Sequence, residues 1–92
     1  MKHIRVSRTS KPKDVGGAIA GMLRTHGKAE VHAICAHAVN QAVMGAATAR
    51  IYLLKEGLDL EAVPTFRLVT SEEEGSRTGI CFKITLLQRA DE

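Results

Sequence analysis

The run Lys11-Pro12-Lys13-Asp14-Val15-Gly16-Gly17-Ala18-Ile19-Ala20-Gly21-Met22-Leu23-Arg24-Thr25-His26-Gly27 decides the fold. Val15, Ala18, Ile19, Met22 and Leu23 recur at the three- and four-residue spacing of one helical face. Ser10-Lys11-Pro12 breaks the strand before it, and Gly27 supplies the stop. A helix from about Lys11 to His26 follows. Upstream, His3 to Arg8 alternates, with Ile4 and Val6 on one side and polar groups on the other, which is the period of a strand. Downstream, Ala29 to Ala36 reads as a second, short and apolar strand. Strand, helix and strand in that order predict a parallel pair joined by a right-handed crossover.

Outward from this unit, a second helix is expected from His37 to about Glu56. Val39, Val43, Ala46, Ala47, Ile51 and Leu54 form its apolar stripe, Gln41, Met44, Thr48, Tyr52 and Lys55 lie opposite, and Gly57 closes it. Val63, Phe66, Leu68 and Val69, then Ile80, Phe82, Ile84 and Leu86, mark two further strands. The polar connector Ser71 to Arg77 makes them an antiparallel hairpin with an acidic tip, Glu72-Glu73-Glu74. Pro64 predicts an edge position or a bulge at the start of the first. The whole is a βαβαββ α/β protein (α+β, two layers), a mixed four-stranded sheet with both helices on one face, in a single domain over residues 1–92. The tail Ala90-Asp91-Glu92 is expected to fray.

Composition agrees and excludes several classes. Of 92 residues 45% are hydrophobic, with no Trp, one Tyr and two Phe, so the core is aliphatic and no aromatic cage or haem pocket is expected. The longest uncharged segment, Val31 to Ala49, carries two His, Asn40, Gln41 and Thr48, too polar for a membrane span. Cys35 and Cys81 sit in apolar stretches without a preceding signal-like run, which predicts two reduced cysteines and a cytoplasmic setting. The net charge of +3 permits a polyanionic partner without requiring one, so the placement of charge must decide.

That placement is informative at the start of helix one. Lys11 and Lys13 flank Pro12 beside the positive end of the helix dipole, at a cost of roughly 0.3 to 1 kcal/mol each unless an anion is near. Free amides at the same end are suited to phosphate. With Arg8 they form a basic cluster only partly offset by Asp14; the plain alternative is a solvated loop. His37, Asn40 and Gln41 crowd the start of helix two, where His37 or Asn40 could simply cap. In this topology both helix starts emerge at the same edge of the sheet. Arg67 and Arg77, near the base of the hairpin, can contribute.

Other chemistry finds no support in the sequence. Gly16, Gly17 and Gly21 lack the spacing of a dinucleotide loop and are expected to let helix one pack closely. His32, Cys35 and His37 make at most three metal ligands, and strand alternation turns His32 away from Cys35. No Gly-x-Ser-x-Gly or paired-carboxylate arrangement occurs. No catalysis, cofactor, metal or small-molecule substrate is expected.

The segments Val6-Ser7, Asp14 to Arg24, Ala33-Ile34-Cys35-Ala36-His37-Ala38-Val39-Asn40-Gln41-Ala42-Val43 and Ala49-Arg50 together resemble the stage V sporulation protein S family over nearly the whole chain. That family resembles the Alba proteins in its order of elements. The resemblance implies a homodimeric DNA or RNA binder with a role in bacterial development. It would contact nucleic acid through the loop at Ser10-Lys11-Pro12, the start of helix two and the last hairpin. The acidic tip departs from the basic arm such a role implies, because phosphate would repel it. The rival expectation is a protein-interaction module in sporulation that does not bind nucleic acid.

Overall fold

A computed structural model describes residues 3–71 and 75–88. Its elements are β1 (Ile4–Val6), α1 (Pro12–His26), β2 (Lys28–Ala33), α2 (Ala36–Leu54), β3 (Leu58–Ser71) and β4 (Gly75–Gln88). The sheet order is β1-β2-β4-β3, with β1 parallel to β2 and the other pairs antiparallel. The expected βαβαββ mixed sheet is therefore present. No helix among the described residues is long and apolar enough to cross a membrane.

Both early strands are shorter than the alternation suggests, for local reasons. After Val6 the hydroxyls of a tight turn take over: Ser10 N–H donates to the Ser7 carbonyl at 3.1 Å and Ser7 N–H to Ser10 Oγ at 2.9 Å. β2 ends at Ala33 because Cys35 is drawn into capping α2, its Sγ accepting from Ala38 N–H at 3.4 Å. Neither His37 nor Asn40 is the cap. The last two strands are longer than expected, fourteen residues each. Pro64 lies mid-strand in β3, an edge strand, and the register from Leu58↔Gln88 to Ser71↔Gly75 runs without a bulge. The molecule extends 51 Å along its longest axis. The tip residues Glu72, Glu73 and Glu74 and the tail lie outside the described residues.

Val15, Ile19, Ala20 and Leu23 of α1 pack with Ala29, Val31 and Ala33 of β2 and with Ile84 of β4. From α2, however, the buried residues are Ala38, Ala42, Gly45, Ala49 and Leu53. The stripe expected there is wrong by about one residue's rotation: Val43 is 49% exposed and Ile51 58%. Close helix packing explains the shift. A Cβ on Gly45 would collide with Val15 Cγ1, and one on Gly16 would lie 2.8 Å from Thr48, so only small residues fit the seam. Gly17 and Gly21 have nothing near an added Cβ and play no part in it. At the other end of α1, Gly27 takes φ 77° and donates to the Leu23 carbonyl at 2.8 Å.

Candidate nucleic-acid interface

The two helix starts lie side by side. Gln41 Nε2 donates to the Ser10 carbonyl at 2.7 Å, tying the first turns of α2 to the loop before α1, and Asn40 Nδ2 donates to Gln41 Oε1 at 3.2 Å. Gln41 is thus a partly buried strut, whereas Lys11, Lys13, His37 and Asn40 are exposed. Lys11 occupies the N-cap position of α1 and no side chain caps that end. Its amides stay available to an anion.

Beside this edge is a cleft of about 530 Å³. Arg5, Arg8, Arg67, Arg77, His3 and His32 line it, over apolar backing from Val6 and Ala33. Three of the residues expected from the sequence, Arg8, Arg67 and Arg77, therefore meet here from the end of β1 and from both arms of the hairpin. Lys11 lines a shallower neighbouring groove with Arg5, Ser10 and Asp14. Lys13, His37 and Asn40 line neither.

His3, Arg5 and His32 were not anticipated, although one signal was present. If Ile4 and Val6 face the helices, then His3 and Arg5 face the other way, as do Glu30 and His32 once Val31 is buried. Cross-strand register, invisible in the sequence, completes the group: Arg5 pairs with His32, His32 with Cys81, and Cys81 with Thr65. Four guanidiniums around one cleft repel each other, and a concave surface focuses their field toward an anion. Among the described residues neither Arg5 nor Arg8 is in an ion pair.

A hydrogen-bonded chain underlies the cleft. The Arg67 guanidinium lies against His32 Nδ1. His32 Nε2 is 2.9 Å from Glu30 Oε1, and the Cys81 thiol donates to the same oxygen at 3.5 Å. Hydrogen bonds from His32 and then Cys81 hold the Glu30 carboxyl below its ordinary range. Burial, and after it Glu30, pushes the Cys81 thiol up. Cys81 stays protonated, the opposite of an activated nucleophile. The donor atoms of Glu30, His32 and Cys81 lie within 4.8 Å of one another, a grouping the sequence did not suggest. Yet the Arg67 guanidinium, 3.1 Å from His32 Nε2, sets a cation beside the ring nitrogen that faces Glu30, where a metal ion would have to bind. On the rim, the His3 ring stacks on His32, centroids 4.0 Å apart and planes 20° apart. Partial loss of hydration, then His32, Arg67 and Arg5, draw the His3 imidazole below its ordinary 6.5.

Side-by-side helix starts, a cationic cleft and the two-layer mixed sheet are the features to set beside known proteins. The family model described as stage V sporulation protein S (SpoVS) matches residues 2–87, nearly the entire sequence. This chain belongs to the stage V sporulation protein S family and is a sporulation-related protein.

Proposed function

We propose that the protein is a non-enzymatic, nucleic-acid-binding regulator that acts as a homodimer in the cytoplasm. One observation carries this reading: cations from β1, the loop after it and both arms of the hairpin converge on one cleft beside the helix starts. Lys11 and Lys13 meet backbone phosphates, joined by Arg8, Arg67 and Arg77, while His37 and Asn40 contact the strand at the start of α2, with Gln41 holding the two helix starts in register. Such contacts are largely independent of base sequence.

Salt dependence tests the idea. Replacing Lys11 and Lys13 with Ala is expected to flatten the slope of log affinity against log salt by about one unit per lost phosphate contact. An unchanged slope, or no binding by the wild type at low salt, rejects it.

A second reading, a protein-interaction module in sporulation, draws support from apolar side chains left on the surface of α2: Val43, Met44 and Ile51. In the first reading a second copy covers them. Partners that survive nuclease treatment in a pull-down favour the second reading; partners lost with the nucleic acid favour the first.

A further inference from the structure

The cleft has a feature that phosphate contacts alone do not use. Its wall at the open edge of the sheet is a stack of two imidazoles, His3 on His32, and His3 is itself exposed. Arg5 stands beside it on β1, Arg8 follows in the turn, and Val6 and Ala33 supply apolar backing. A small inorganic anion would engage the guanidiniums and ignore the rings. A duplex presents phosphates on a convex rim with its bases enclosed, so it could neither enter the recess nor reach the stack. A single strand offers both things the cleft is built from: spaced phosphates and an unpaired base with a free face.

We infer that this cleft seats single-stranded nucleic acid, with one unpaired base laid on His3 as the third ring of the His32–His3 stack and the adjacent phosphates on Arg5 and Arg8. The inference rests on the nucleic-acid reading above and narrows it to the single-stranded class. The tilt toward neutrality of the His3 ring suits this role, because an uncharged imidazole is less strongly hydrated than an imidazolium. Arg67, held against His32 by the hydrogen-bonded chain beneath, fixes the lower ring as the platform. Base identity plays no part, since every base has a π face.

The test is fluorescence anisotropy at low salt with three probes: an oligothymidine and an oligouridine of ~12 nucleotides, and a blunt DNA duplex of equal charge. The expected result is single strands bound about tenfold more tightly than duplex. His3→Ala is expected to remove about tenfold of affinity for single strands and none for duplex, and His3→Phe to restore it. Lys11→Ala weakens all three. Comparison of the two single strands separates DNA from RNA as the ligand. Duplex bound as tightly as single strand, or His3→Ala without effect on single strands in a protein whose circular dichroism is unchanged, overturns the inference and leaves nucleic-acid binding standing. Failure of all three probes to bind overturns both.

Discussion

Gly16 and Gly45 set the separation of the two helices, because nothing larger than hydrogen fits where α1 crosses α2. Gly45→Ala forces its new methyl into Val15 and is expected to lower stability by about 1–3 kcal/mol. Gly17→Ala meets no neighbour and removes backbone freedom from the unfolded chain, so a gain of about 0.5–1 kcal/mol is expected. Urea unfolding of the two variants, with opposite signs, checks both. The sequence made a close approach by helix one legible in its small residues, but could not say which glycine does it. Gly45 went unnoticed because in an alanine-rich helix one more small residue carries no signal. The same limit holds for His32 and Cys81: each was visible as a residue, whereas their meeting with Glu30 depends on strand register.

At the level of elements, α2 is the instructive failure. Helical spacing put Val43 and Ile51 on the inward stripe, with Gln41, Met44, Thr48, Tyr52 and Lys55 opposite. Tight packing turned the helix by about one residue, to the neighbouring face where Ala38, Ala42 and Ala49 fit. Ile51→Glu is therefore expected to change monomer stability by no more than about 0.5 kcal/mol while shifting sedimentation toward the monomer if a second copy covers this face. The ends of the two helices are tied by the Arg24–Glu56 pair, with a closest approach of 2.6 Å. Its hydrogen bonds hold the Glu56 carboxyl below its ordinary 4.5. A depressed carboxyl contributes stability above the unfolded value and loses it as pH falls through the folded one. Acid titration of the unfolding midpoint should accordingly fall less steeply below pH 4.5 in Glu56→Gln than in the wild type.

For the molecule as a whole, strand and helix order was legible because each segment carries its own period and its own stop. The cleft was not legible, since it is assembled from β1, β2, β3 and β4, and long-range pairing leaves no local trace. Arg8 was recognised in the basic cluster before helix one, and Arg67 and Arg77 as residues near the base of the hairpin; that they share one recess with Arg5, His3 and His32 is a property of the sheet alone.

β1 brings a different kind of consequence. It is an edge strand of three residues, joined to the sheet among the described residues through the register Ile4↔Val31, Arg5↔His32 and Val6↔Ala33, yet Arg5 and the residues on either side of the strand form one wall of the cleft. Strands so short open without disturbing the rest of a fold. A ligand seated on them lends its free energy to keeping them closed. Hydrogen–deuterium exchange should therefore show the amides of residues 4–6 slowing markedly when an oligonucleotide is added, while the central amides of β4 hardly change. Docking and completion of the sheet would then be a single equilibrium, read at the first few residues of the chain.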